Sequence, residues 1–270
     1  MNPKIVFSDI DGTLINSQRV FSNTTIKAIK RIKEKTPIIL ISSRMPSAIK
    51  HLQSSAEIEN YPLISYNGAL VLVNNKVVCD HAIPFNIVKK IVNFNTQGKV
   101  HISLYNTNNW YVPQEDYWAK REINNTKITP QILPNNEVLK LWEKDQKGAH
   151  KIMCMGDPDD IDIIYNYMET YFGNELHLYR SKNTYIEIAA KHISKKTAVE
   201  YILEHVYPHI NIENAAAFGD NYNDIEMLQA VGIGVAVANA KAEVLEVAKY
   251  TTAAGTNDGV AHFLNKNITI

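Results

Sequence analysis

Short runs of consecutive apolar residues alternate along the chain with stretches in which apolar side chains recur every three or four positions. Lys4 to Phe7 is a β-branched and aromatic run that stops at Ser8-Asp9, the pattern of a buried strand. Ser22 to Lys35 carries Ile26, Ile29 and Ile32 at spacings of three behind Ser and Thr capping candidates, which predicts a helix with one buried face. Pro37 to Ile41 is a second apolar run, ending at Ser42-Ser43-Arg44, and a helical stretch through Ile49 and Leu52 follows it. This β-α-β-α rhythm predicts an α/β fold with a doubly wound parallel sheet, its helices on both faces.

Leu63 to Tyr66 reads as a third strand. Ala69 to Val73 and Lys76 to Cys79 flank Asn74-Asn75, a pair suited to the positive φ of a tight hairpin turn. Beyond about residue 82 the rhythm changes to strand-like pieces (101–105, 110–112, 151–155, 176–179, 185–188) set between helices. Residues 82–188 also hold 14 of the 24 aromatic side chains. They are expected to form an inserted α+β domain, with 1–81 and 189–270 forming one Rossmann-like core. Alternation resumes after the insertion: helix from Ser194 to Val206, strand from Ala215 to Phe218 ending at Gly219-Asp220, helix from Asp224, strand from Ile233 to Val237, helix from Lys241, strand near Tyr250 and a closing helix from Asp258.

Charge then narrows the function. Among 270 residues, 28 Lys+Arg balance 28 Asp+Glu. A general surface that holds nucleic acid or an anionic membrane needs basic excess, so neither partner is expected. No apolar run approaches the roughly 20 residues of a membrane span. Two acidic residues by position 11 interrupt any signal-peptide apolar region, and Cys79 and Cys154 have no CxxC or Cys/His context. A cytoplasmic location and no zinc site are the expectations.

Ligands of an open parallel sheet bind at the carboxyl ends of its strands. Those ends read Asp9-Ile10-Asp11-Gly12-Thr13, Ser42-Ser43-Arg44 and Gly219-Asp220-Asn221-Tyr222-Asn223-Asp224. Four carboxylates on one rim repel one another, and a hard divalent cation with oxygen ligands relieves that repulsion, which implies Mg²⁺. A calcium loop is excluded: counted from Asp9, its sixth and twelfth positions need Gly and Glu but hold Leu14 and Val20.

This set resembles the haloacid dehalogenase-like hydrolases, whose four motifs match Asp9-Ile10-Asp11-Gly12-Thr13, Ser42, Lys195 and Gly219 to Asp224 in order and strand context. Asn67-Gly68-Ala69, Asn239-Ala240 and Asp258-Gly259-Val260-Ala261 extend the resemblance to the Cof-like subfamily of sugar-phosphate and small-metabolite phosphatases. Departures are Ser43 for a frequent Gly, Lys196 for another, and Ala238 for the usual Gly before Asn239.

The resemblance implies a Mg²⁺-dependent phosphatase of small phosphate esters. Asp9 would be the nucleophile, forming an aspartyl phosphate, and Asp11 the general acid and base. Ser42, Ser43, Lys195 and Asn223 would bind the phosphoryl group. Asp9, Asp11 through its main-chain carbonyl, and Asp220 would hold the metal, with Asp224 acting directly or through water. Formal charge is −6 from four Asp and a dianionic phosphate against +3 from Mg²⁺ and Lys195, so backbone N–H groups, helix N-termini and a protonated Asp11 are expected to offset part of the rest. Simpler roles stand beside these: Ser42 as the cap of the next helix, Lys196 rather than Lys195 as the site lysine, Asp224 as a helix N-terminal charge, Arg44 as an ion-pair partner. A phosphomutase or phosphotransferase, or a catalytically idle binding protein, would carry the same motifs. Trp110, Tyr111, Tyr117, Trp118 and Trp142 are either core or a stacking surface for the leaving group.

Overall fold

A computed structural model of the chain describes residues 1–95 and 97–269. The chain folds as two compact units: Met1–Cys79 with the segment from Ser194 onward, and Asp80–Ile193. The sequence pattern divides the chain at 81/82 and 188/189, whereas these units divide at 79/80 and 193/194. The difference has a local cause, since the Asp80 carboxylate accepts from His150 and the last strand of the second unit runs to Ala190.

In chain order the first unit begins with β1 (Ile5–Ser8), α1 (Asn23–Ile32), β2 (Ile38–Ile41), α2 (Pro46–Ala56), β3 (Leu63–Ser65), β4 (Leu70–Val73) and β5 (Lys76–Asp80). The second contains α3 (Phe85–Phe94), β6 (His101–Asn106), β7 (Asn109–Val112), α4 (Tyr117–Thr126), β8 (Gln131–Ile132), α5 (Asn135–Glu143), β9 (Lys151–Met155), α6 (Pro158–Phe172), β10 (Leu176–Lys182) and β11 (Tyr185–Ala190). The first resumes with α7 (Lys195–His205), β12 (Ala215–Gly219), α8 (Ile225–Ala230), β13 (Ile233–Val237), α9 (Ala242–Val247), β14 (Tyr250–Thr252) and α10 (Gly259–Asn267).

The first sheet has the order β14-β13-β12-β1-β2-β3-β4-β5 and is parallel from β14 to β3. Its central strands are buried on both faces, which is why they read as unbroken apolar runs. The β4–β5 turn has Asn74 and Asn75 at φ +50° and +61°, as a tight turn requires. Chain order reverses on either side of β1, whose neighbours are β2 and β12, so the crevice of this doubly wound sheet opens beyond the end of β1. The second unit is a six-stranded sheet of order β10-β11-β9-β6-β7-β8, packed on one another's edges mainly antiparallel. Trp110 and Trp142 are core residues there and Tyr111 is buried with them, while Tyr117 is exposed and Trp118 half-buried. Among the described residues no helix is long and apolar enough to cross a membrane.

Candidate active site

Asp9 follows β1 and is nearly buried, its backbone N–H donating to Phe218 O of β12. Lys195 opens α7, whose Ser194 caps it with reciprocal bonds to Thr197, so the first helical residue is fixed in direction. Its fully buried ammonium donates to Asp9 Oδ1 at 2.5 Å and to Asp224 Oδ1 at 2.6 Å. Lys196 instead lies on the exposed face beside Glu200, so Lys195 is the lysine of the cluster. Asp224 is buried too, and its Oδ2 accepts from the backbone N–H of Asp220 and Asn221 at 3.0 Å each. The carboxylate thus shapes the loop after β12 as well as holding the lysine.

Asp220, at the end of β12, accepts from Thr13 Oγ1 at 3.0 Å. One carboxylate oxygen from each of Asp9, Asp220 and Asp224 lies within 4.8 Å of the others. Asp9 Oδ2 is buried and has no hydrogen-bond partner, a costly state for a carboxylate oxygen unless a cation meets it. Three carboxylates against one ammonium leave a formal charge of −2, and every donor atom is oxygen. The residues present fit a hard divalent cation.

The electrostatics point the same way. Burial raises the Asp9 carboxyl well above its ordinary range, opposed by Lys195 and reinforced by Asp224 and Asp220. Burial, followed by Asp224, pushes Asp220 up to about 6. Burial alone would discharge Lys195, but Asp224 and Asp9 outweigh it and hold the ammonium charged.

Asp11, two residues past Asp9, is paired with cations other than Lys195. Arg44 meets it with Nε to Oδ2 and Nη2 to Oδ1, both at 2.7 Å, and Arg19 Nη1 adds a contact of 3.2 Å. Two guanidinium groups neutralise Asp11, and backbone N–H groups and a protonated Asp11 are not the only offsets. Neither Arg19 nor its pairing is signalled in the sequence, because residue 19 sits on a loop with φ +65° that only the fold brings to Asp11.

Ser42 is buried at the end of β2. Its Oγ accepts from Arg44 N at 3.2 Å, and α2 begins only at Pro46 after Met45, so Ser42 does not cap that helix. Ser43 beside it is half-buried. Asn223 donates to Asn67 Oδ1 at 3.0 Å, joining the β12 loop to the turn after β3. Asn239 holds the first loop, donating to Gly12 O at 2.9 Å and accepting from Gly255 N at 2.8 Å. These amide links explain Asn67 and Asn239, which the sequence offers only as part of a family pattern.

A buried, lysine-paired aspartate at the switch point of a parallel sheet, clustered with two further carboxylates, suits nucleophilic chemistry beside a hard cation. The family model for haloacid dehalogenase-like hydrolases matches residues 6–264, and the chain belongs to that family. It is 32% identical over 269 residues to a protein of Haemophilus influenzae, covering 97% of each. It is 29% identical over 264 residues to a 5-amino-6-(5-phospho-D-ribitylamino)uracil phosphatase of Bacillus subtilis, covering 96% of this chain and 93% of the other. Among solved structures, a haloacid dehalogenase-like hydrolase from Bacteroides thetaiotaomicron superposes with a TM-score of 0.88 at 22% identity, over 98% of this chain and 99% of that one. A HAD subclass IIB sugar phosphatase superposes with a TM-score of 0.80 at 24% identity, over 97% and 98%.

Proposed function

We propose that the protein is a Mg²⁺-dependent phosphatase of small phosphorylated metabolites, sugar phosphates first among them, working through an aspartyl phosphate on Asp9. The observation that carries this reading is the state of Asp9, with one oxygen held by a buried lysine and the other buried and without a hydrogen-bond partner, in a residue that clusters with Asp220 and Asp224. A carboxylate is already deprotonated for attack when a cation lies beside it, and covalent catalysis splits the hydrolysis into two displacements.

Asp9 attacks phosphorus as the ester P–O bond breaks, and the electron pair of that bond passes to the leaving oxygen. Asp11 supplies a proton to that oxygen and later takes one from the water that cleaves the acyl phosphate. Ser42 and the backbone at Ser43 hold phosphoryl oxygens, with Asn223 at their edge, and Lys195 offsets charge on the nucleophile and the equatorial oxygens. Asp9, Asp220 and the Asp11 carbonyl would hold Mg²⁺, with Asp224 beside them. The ion neutralises phosphoryl charge when bound. The unit Asp80–Ile193 serves as the cap, selecting the leaving group and excluding bulk water.

Sugar phosphates have support from a structural neighbour described as a sugar phosphatase. A ribityl-bearing phosphate has support from the Bacillus subtilis relative. Both are polyhydroxylated phosphomonoesters. The test is release of phosphate from an ester panel with Mg²⁺, repeated with Asp9→Asn. Turnover surviving that substitution would remove Asp9 as nucleophile.

A further inference from the structure

We infer that Arg44 is a positioning residue for proton transfer, holding the Asp11 carboxylate in the one orientation from which it serves the leaving oxygen. The inference rests on the acid–base role of Asp11 proposed above and adds a residue to it. General acid catalysis needs the proton donor within hydrogen-bond reach of the leaving atom, so a misaimed carboxyl is an absent one. Asp11 stands on a loop with its side chain 37% exposed, where a short carboxylate otherwise samples several staggered rotamers.

Arg44 supplies the constraint that the loop lacks. Its side chain is only 4% exposed. Its backbone N–H donates to Ser42 Oγ, its carbonyl accepts from Tyr66 N, and its Nη1 donates to Ala48 O at 3.3 Å. The Arg44 backbone is thus held at both its N–H and its carbonyl, the buried guanidinium is held at Ala48, and its Nε and Nη2 engage one carboxylate oxygen each. Two parallel bonds fix the plane of the carboxylate as well as its place, which a lysine's single ammonium does not reproduce. Arg19, with a side chain 37% exposed against 4% for Arg44, meets the same carboxylate through Nη1 to Oδ1 at the longer distance of 3.2 Å, without the two-nitrogen fork. Ser42 is fixed by the same turn, so one short segment after β2 orients both a phosphate ligand and the proton donor.

A structural ion pair and a positioning clamp differ in how their loss depends on the leaving group. A phenolate as stable as p-nitrophenolate departs without a proton, whereas a sugar alkoxide does not. Arg44→Lys should therefore lower kcat/KM for an alkyl phosphate by about 10-fold or more, a fraction of the 10²–10⁴-fold that general acid catalysis contributes. It should change kcat/KM for p-nitrophenyl phosphate by no more than about threefold, because that ratio runs only as far as departure of the leaving group and does not include the later step in which Asp11 takes a proton from water. A retained aryl kcat/KM also certifies a folded site, and Arg44→Met provides a second variant with a stem of similar length. Asp11→Asn should show the same ester dependence, more strongly, and Arg44→Lys should add little in the Asp11→Asn background. Equal losses on both esters in the Arg44 variants overturn the clamp while leaving the function intact. If Asp11→Asn itself shows no ester dependence, the acid role proposed for Asp11 fails first.

Discussion

Gly12 and Asp220 approach so closely that a Cβ added to Gly12 would lie 2.2 Å from Asp220 Oδ2 and 2.8 Å from its Cγ. Gly12 also has φ +86°, a backbone state that side-chain-bearing residues resist. Two constraints thus converge on one residue, and both serve the position of a carboxylate 208 residues away in sequence. Gly12→Ala should displace Asp220, weakening Mg²⁺ binding by about 10–100-fold, the range seen when supports of a metal ligand are disturbed. Isothermal titration of the metal-free protein reads this directly. Unchanged affinity would remove Asp220 from the ligand set.

Lys195 is buried between Asp9 and Asp224, so its charge is needed by the fold as well as by the proposed chemistry. Lys195→Met should cost the metal-free protein about 3–5 kcal/mol, the penalty for leaving buried charges without their partner. A divalent cation should restore part of that loss, since it supplies positive charge to the same oxygens. Denaturant melts with chelator and with Mg²⁺ separate the two effects. Phosphate release should be abolished in both conditions.

The strands that build the rim were legible because each is a short apolar run ending abruptly in polar residues. Ser8-Asp9, Ser42-Ser43 and Gly219-Asp220 mark where β1, β2 and β12 leave the core. Lys195 was separable from Lys196 only in three dimensions, since the choice depends on which way a helix is turned. The Arg44–Asp11 fork, the Arg19 contact and the Asn67–Asn223 link join positions 33, 8 and 156 residues apart, and none leaves a local pattern. In the second unit, α4 buries only Ala119 and Thr126 of its ten residues, so periodicity carries little signal there.

A cation at the acidic cluster should stabilise the protein by about 2.7 kcal/mol at a hundredfold excess over its dissociation constant. For a chain of this size that is a rise in melting temperature of about 5–10 °C. The effect depends on pH with a definite sign. The Asp220 carboxyl, pushed up to about 6, holds a proton below that pH and competes with the cation, whereas above it the unneutralised carboxylate destabilises the metal-free site. The stabilisation by Mg²⁺ should therefore grow as pH rises through 6. Asp220→Asn should remove the greater part of it, and a cation effect of equal size at pH 5 and pH 7.5 would contradict this placement.

Two buried histidines in the second unit set a separate pH limit. His150 accepts from Thr107 N at Nδ1, so its Nε2 carries the hydrogen that it donates to Asp80 Oδ1 at 3.0 Å. His101 bridges Asp116 Oδ2 at 2.7 Å and Ser103 Oγ at 3.0 Å. That chain has the connectivity of a nucleophilic triad, but Ser103 is fully buried, so it braces the start of β6 rather than meeting a substrate. Burial lowers both histidines below the ordinary 6.5, against the opposing pull of Asp80 and Asp116. A base lowered on folding binds its proton more readily when unfolded, so the stabilisation is complete above 6.5 and is lost as pH falls toward the folded values. Each histidine contributes a slope of up to about 1.4 kcal/mol per pH unit within that window. In saturating Mg²⁺, where the cation removes the opposing titration of Asp220, chemical melts at pH 7.5, 6.5 and 5.5 should show stability level at first and then falling. His51 is lowered too, by burial and then by Arg44, and adds to the same trend in the first unit. His150→Gln should make the fall shallower, because an amide at this position has no proton to take up; a slope unchanged by that substitution would exclude His150 as a source.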